Sequence, residues 1–299
     1  MKTTAANRGI SNNKQHSNYI TIELFKNALS NELGYAPEVI IGDSQLHRFK
    51  DKNGKLNGAY IMHLTGRPAG YFQCFKQGIK ENWKLDGHYM PLSNFQRIEF
   101  SIEAHRQAKQ RQHEEMAKHK SAAQKACYIW SQAALAPISH PYLVKKHIGI
   151  PGARLGRDNT LIIPLYNTNR DIINLQFISE TGDKRFLSGG QKKGCFYILE
   201  GVTDKIIICE GFATAASLYE NSGYLTVVAF DAGNLKNVAI NIKSLYPASK
   251  IVIAGDNDLS GIGQKKALEA ALAVNGQYLV PATVGHDWND SLTVEVTHA

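Results

Sequence analysis

Two aliphatic runs in this chain end abruptly in acid and glycine. Ile206-Ile207-Ile208-Cys209 gives way to Glu210-Gly211, and Ile251-Val252-Ile253-Ala254-Gly255 gives way to Asp256-Asn257-Asp258. Compact runs of this kind predict buried parallel strands, and in an open α/β sheet the carboxyl ends of such strands are where ligands sit. One crevice would then receive Glu210, Asp256 and Asp258. An oxygen-rich cluster suits Mg²⁺, or Mn²⁺ in its place, which favours carboxylates, water and shared phosphates. Asp256 and Asp258 alternate around Asn257, so an extended backbone points both carboxylates the same way. Like charges that close raise each other's pKa unless a cation lies between them. The bland alternatives are a dipole-complementing cap at Glu210 and an Asp-rich turn at 256–258.

The acids need elements to hold them. From residue 206 onward strand and helix alternate: strands at 206–209, 226–230, 251–254 and 278–280, helices at about 211–221, 235–246 and 261–275. That pattern implies right-handed crossovers and a parallel sheet flanked by helices. Asp231 to Asn234 follows the middle strand and borders the same crevice, where Asn234 either contacts a nucleotide or forms a turn. After the last strand comes His286-Asp287-Trp288-Asn289-Asp290, in which Asp287 is a fourth acid, open to ligation or capping, and Asp290 reads as a cap.

Upstream, 161–166 and 172–178 flank the turn sequence Asn167-Thr168-Asn169-Arg170-Asp171, and 184–197 continue an antiparallel region. Lys184, Arg185, Lys192 and Lys193 crowd around Gly189-Gly190, a combination that neutralises phosphate where glycine lets the backbone approach, or else a charged hairpin tip. Arg154 and Arg157 extend the patch. Residues 94–136 contain neither Gly nor Pro and are rich in Ala, Gln, Lys and Glu, which predicts a long solvated helix connecting two domains. Before it, an apolar stripe from Ile20 to Leu33 predicts a helix, and Tyr60–Leu64 with Gly70–Phe75 predicts an antiparallel hairpin. The division that results is a disordered tail at 1–17, an N-terminal α+β domain at 18–95, a helical connector at 96–137, an antiparallel subdomain at 138–200 and the α/β domain at 201–299.

Bulk properties narrow the partners. The 299 residues carry a formal net charge of +8, which favours an anionic partner such as nucleic acid. No apolar run approaches the roughly 18 residues of a membrane span, and the polar start lacks the apolar core of a secretion signal, so no membrane partner and a cytoplasmic location are expected. Cys74, Cys127, Cys195 and Cys209 form no Cys-x-x-Cys pair, so no zinc is expected. No Gly-x-x-x-x-Gly-Lys-Ser/Thr loop is present, which argues against a fused ATPase or helicase.

The ordered acids resemble the Toprim domain of primases, topoisomerases and some nucleases. Asn159–Leu165, Ile172–Ile178 and Asp183–Gly190 resemble the small subdomain that precedes Toprim in bacterial-type primases. Phe230–Leu235 and His140-Pro141-Tyr142-Leu143 are similar to primases of plasmids, phages and integrated elements. The resemblance is good over about 138–291 and weaker over 18–95, and it lacks the zinc ribbon of bacterial primases. It implies a DNA primase that joins ribonucleoside triphosphates into short RNA primers on a single-stranded DNA template, for replication of a mobile element. Glu210, Asp256 and Asp258 would be catalytic and metal-binding, with Asp287 as a further ligand. Lys184, Arg185, Lys192, Lys193, Arg154, Arg157 and Asn234 would hold template and nucleotides, beside a separate replicative helicase. The alternatives are a Toprim-type metal-dependent nuclease and a non-catalytic DNA-binding replication adaptor.

Overall fold

A computed structural model describes residues 5–86, 94–149 and 152–297. The chain forms two compact units, Met1–His105 and Arg106–Ala299. Among the described residues no helix is long and apolar enough to cross a membrane.

In the first unit, α1 (Ala5–Leu33) precedes four strands, β1 (His47–Phe49), β2 (Gly58–His63), β3 (Ala69–Cys74) and β4 (Ile79–Lys84). The helix predicted from Ile20 thus reaches back to Ala5, through most of the stretch read as a disordered tail, because no proline interrupts it; residues 1–4 of that tail lie outside the described residues. The strands pair antiparallel in sequence order, with the predicted hairpin in the register Tyr60↔Phe72. Alternation then sorts the side chains. Phe49, Tyr60, Met62, Phe72 and Cys74 point to one face, where Phe25, Leu29 and Leu33 of α1 cover them.

The long helix α2 (Asn94–Gln132) contains the boundary between the units. The second unit continues with β5 (Ala134–Leu135), α3 (Pro141–Lys145), β6 (Arg154–Leu155), β7 (Leu161–Tyr166), β8 (Ile172–Ile178) and β9 (Lys184–Phe186), whose strands form an antiparallel sheet in the order β5-β6-β7-β8-β9. Next come β10 (Tyr197–Leu199), β11 (Val202–Cys209), α4 (Phe212–Ser222), β12 (Tyr224–Val228), α5 (Leu235–Leu245), β13 (Lys250–Ala254), α6 (Ile262–Ala273), β14 (Gln277–Leu279) and α7 (Trp288–Thr297). The sheet order is β10-β12-β11-β13-β14, parallel throughout except for β10, which pairs antiparallel with β12. Tyr197, read from sequence as part of the antiparallel region, therefore belongs to the second sheet. A backbone bridge between Tyr166 and Phe196 joins the two sheets.

Burial on both faces explains why β11 reads as continuous aliphatic sequence. Ile206 and Ile208 pack toward α5 and α6 through Leu235, Val238, Ile242 and Ala267. Ile207 and Cys209 pack toward Phe212 and Ala216 of α4 and Leu161, Ile163 and Leu165 of β7. The antiparallel sheet thus shares a core with α4, which brings its β8–β9 edge to the carboxyl end of β11.

Candidate active site

Glu210 follows the last residue of β11, and Asp256 lies two residues beyond β13. The strands are hydrogen-bonded neighbours with Cys209 opposite Ala254, so the two acids leave adjacent strands about 4.8 Å apart at the same sheet edge. Both are partly buried. Burial, and then the nearby Asp231, raise the Glu210 pKa, while Lys184 and the Ala232 backbone N–H oppose the rise. Asp256 is pushed up to about 7, first by burial, then by Glu210 and Asp287. Its Oδ1 is buried without a hydrogen-bond partner.

Asp258 sits differently. Its Oδ1 accepts from Ser260 Oγ at 2.6 Å and its Oδ2 from the Gly263 N–H at 2.6 Å, which holds its pKa below the ordinary carboxylate value. It caps the start of α6. Gly263 is required there, since a Cβ would meet Asp258 Oδ2 at 2.6 Å and the Asp256 carbonyl at 2.8 Å. Asn257 anchors the same loop through Nδ2 to the Pro281 carbonyl, 2.8 Å. Asp287 Oδ1 accepts from the Asp290 N–H at 2.8 Å, and Asp290 Oδ2 accepts from the Asp287 N–H at 3.3 Å, a reciprocal cap at the start of α7. Lys146 lies 3.5 Å from Asp290 and 4.0 Å from Asp287.

Among the described residues no three His, Cys, Asp or Glu side chains close into a ready-made metal cage. The four acids are neighbours electrostatically, but two of them are engaged in caps. The donor set still fits Mg²⁺ or Mn²⁺. Mg²⁺ is usually held by one or two carboxylates together with water and substrate phosphates. The unpartnered Asp256 Oδ1 beside Glu210 is an atom that lacks such a partner.

The cationic residues divide by strand alternation. Lys184, opposite Ile178, acts electrostatically on both Glu210 and Asp256. Arg185, opposite Phe177, lies on the other face with its guanidinium 5.5 Å from the Phe177 ring centroid. Lys192 pairs with Asp231 at 2.5 Å and lies over the Phe186 ring, while Lys193 and Arg157 are exposed. Arg154 stacks on Trp130, 4.4 Å from the ring centroid, and bonds the Trp130 carbonyl, pinning the end of α2 to β6. A cleft of about 200 Å³ lies beside the acids, lined by Lys145, Lys146, Lys184, Gly211, Thr214 and Asp287.

Two expectations change in this setting. Asn234, a candidate nucleotide contact, is buried: its Oδ1 accepts from the Gly194 N–H at 2.7 Å, and its Nδ2 donates to the carbonyls of Ala229 at 2.9 Å and Cys195 at 3.0 Å. Its amide therefore clamps the 192–195 loop onto the end of β12. Gly190 serves packing rather than phosphate approach, because a Cβ there would strike the Asn174 side chain.

Three positioning residues carried little signal in the sequence. Asn289, buried, donates to the Lys146 carbonyl and to Ser217 Oγ, each at 2.7 Å, tying α7 to α3 and α4. Trp288 Nε1 donates to the Gly255 carbonyl at 3.1 Å. Lys146, the C-cap residue that ends α3, faces the Asp287–Asp290 cap. Only the cluster 287–290 itself, polar residues around an aromatic after the last strand, hinted that this segment closes the site.

The family model for the Toprim domain matches residues 205–297, which span β11 to α7 and include all four acids. Residues 205–297 are a Toprim domain. Two curated Escherichia coli proteins, both named DNA primase TraC, are 35% identical over 263 residues and 34% identical over 262. Each match covers 81% of this chain, but 24% and 18% of the respective relative, so the chain spans about a quarter or less of their length. Among solved structures, the primase fragment of the bacteriophage T7 primase-helicase protein aligns at 14% identity and a TM-score of 0.42, over 56% of this chain and 75% of that one. In this chain the Toprim sheet carries β10 as an antiparallel edge, and the antiparallel subdomain before it supplies Lys184 to the acidic edge.

Proposed function

We propose that the chain is a DNA primase, joining ribonucleoside triphosphates into short RNA on single-stranded DNA by metal-dependent nucleotidyl transfer, with its catalytic core in 138–299. The observation that carries this is the Glu210–Asp256 pair: two partly buried acids at adjacent parallel strand ends of a Toprim domain, one with an unpartnered oxygen. The 35% identity to a protein named DNA primase over 81% of the chain supports primer synthesis as the reaction.

In this reading Glu210 and Asp256 would hold Mg²⁺ or Mn²⁺, with Asp258 and Asp287 completing the acidic edge as their caps allow. A divalent ion bound there would lower the pKa of a 3′-hydroxyl attacking the α-phosphate and would neutralise the charge that builds as the α–β phosphoanhydride bond breaks and pyrophosphate leaves. The chain's own residues do the rest. Lys184 offsets the like charge of the two acids and supplies a cation beside them for a phosphate. Lys145 and Lys146 line the adjoining cleft, where the N–H groups that start α4 add a favourable field for anions. Lys193 and Arg157, both exposed, position the strands without reading base sequence.

Incubation with single-stranded DNA, labelled ribonucleotides and Mg²⁺ tests the proposal. Short template-dependent RNA is the expected product. Cleavage of the DNA without RNA would replace the reading with a Toprim nuclease, and binding without either reaction would leave a non-catalytic adaptor.

A further inference from the structure

The chain's surplus of positive charge is concentrated away from the Toprim domain. Residues 45–84 contain eight Lys or Arg against two Asp or Glu, in a chain whose whole net charge is +8. These residues form β1–β4 and their turns. Because α1 covers one face of that sheet, alternation sends the remaining side chains to the other. Cross-strand register lines them up in rows: Arg48, Ala59, Gln73 and Lys80, then Ile61, Tyr71 and Asn82. Arg48, Lys80 and Asn82 are exposed, and Lys84 continues the same face beside Ala69.

Aromatic surface accompanies the charge. Phe75, just past β3, is 52% exposed, and the Arg48 guanidinium lies 4.4 Å from its ring centroid. Arg48 is fixed in place by donating to the Leu56 carbonyl. Beside Phe75 opens a cleft of about 550 Å³ lined by Asn53, Lys55, Asn57 and Lys76. Tyr71, partly exposed, donates from its hydroxyl to Gln73 Oε1 at 2.6 Å. The two acids do not cancel this surface. Asp51 is engaged by the N–H groups of Asn53 and Lys55 and by Asn57 Nδ2, and Glu81 pairs across from Phe72 on the register of the covered face.

We propose that the open face of β1–β4 is a platform for single-stranded nucleic acid, with bases stacking at Phe75 and Tyr71 and phosphates neutralised by Arg48, Lys80 and Lys84. Flat aromatic and guanidinium surfaces bind the faces of bases, which a duplex hides and a single strand offers. Flanking lysines follow the backbone without regard to sequence. This site needs neither Glu210 nor Asp256, so it stands or falls apart from the catalytic reading.

The test uses the full chain and fluorescence anisotropy with three probes of about 20 nucleotides: oligodeoxythymidylate, oligouridylate and a DNA duplex. The wild-type chain should bind a single strand more tightly than the duplex. Preference for oligodeoxythymidylate identifies template DNA as the ligand and preference for oligouridylate identifies RNA; either supports the platform. Replacing Arg48 and Phe75 together by Ala should weaken single-strand binding about tenfold. The exposed pair Lys80→Glu and Lys84→Glu, which leaves the core untouched, should lower the slope of log affinity against log salt by about 0.7 for each phosphate no longer neutralised. Equal binding of duplex, or wild-type affinity and slope in both variants with unchanged thermal melting, would overturn the proposal. A Lys184→Ala chain run in parallel measures the share owed to the lysine beside the acidic edge, which lies in the antiparallel subdomain.

Discussion

The acids at the ends of strands and the acids at the starts of helices share one edge of one sheet, yet they stand in opposite electrostatic conditions. Glu210 and Asp256 emerge from buried parallel strands, and burial raises both pKa values. Asp258 and Asp287 sit where α6 and α7 begin and already accept hydrogen bonds from N–H groups or a hydroxyl. A carboxylate with its lone pairs occupied is comfortable without a ligand, whereas a desolvated one is not. The difference teaches that closeness in space does not make four acids equivalent. The strand-end pair has the most to gain from a cation.

The sharpest way to break this comparison is substitution within each pair. Glu210→Gln and Asp256→Asn keep size and shape while removing charge. Each should reduce primer synthesis by at least about a hundredfold, the scale lost when a charge-stabilising group is removed from a reacting centre. Single-strand binding, read by anisotropy, should change little. Turnover near wild type in either variant would end the assignment of the pair. Larger losses from Asp258→Asn or Asp287→Asn than from the strand-end variants would reverse the comparison.

Titration should separate the pairs next. Asp256 has a folded-state pKa of about 7 against an ordinary value of 3.8. The folded chain therefore holds this proton more tightly than the unfolded one, so metal-free stability falls as pH rises from about 4 to about 7. A divalent ion needs the deprotonated carboxylate, so its affinity should rise over the same proton's loss and level off above about pH 8. For one group titrating near 7, Mn²⁺ should bind about tenfold more tightly at pH 8 than at pH 6. Asp256→Asn should flatten that dependence. Asp258 is held low by its bonds and adds nothing in this window.

Adjacent lysine and arginine give a smaller contrast of the same kind. On β9, Lys184 acts on the acids while Arg185 stacks over Phe177 on the opposite face. Lys184→Ala should raise the Asp256 pKa further and weaken nucleotide use several-fold, on the order of one charge-assisted hydrogen bond. Arg185→Ala should affect stability more than the Michaelis constant. Steady-state kinetics with a stability measurement on each variant would show whether the two residues trade places.

Much of this edge was legible because parallel strands buried on both faces leave an unbroken aliphatic signature, and Ile206–Cys209 and Ile251–Ala254 have it. The acids that follow are then placed by chain direction alone. What sequence spacing does not carry is commitment. Asp256 and Asp258 differ because Gly263 comes close enough to donate to the second, a fact of loop path. Asn234 looks like a loop residue beside a site, but four backbone partners drawn from 192–195 and 229 consume its amide. Tyr197, at the end of the segment that reads as antiparallel, opens a strand of the second sheet instead, because a three-residue strand carries no directional signal of its own. The open face of the N-terminal sheet was hidden for another reason: charge counts over the whole chain average away a local excess.

The smallest expected effect tests the capping half of the comparison. If Asp287 matters chiefly as the partner of Asp290 at the start of α7, then Asp287→Ser, which keeps an acceptor, should cost less stability than Asp287→Ala. Loss of a helix cap typically costs about 1 kcal/mol. In a unit of this size that corresponds to a fall in Tm of about 2–4 °C. Synthesis should drop only a few-fold in the Ala variant, through looser seating of Trp288 and Asn289, whose bonds to Gly255 and to Lys146 and Ser217 hold α7 against the acidic edge. A Ser variant with full stability but no synthesis would move Asp287 from the capping pair into the metal-binding one, and the two pairs of acids would then be a set of three and one.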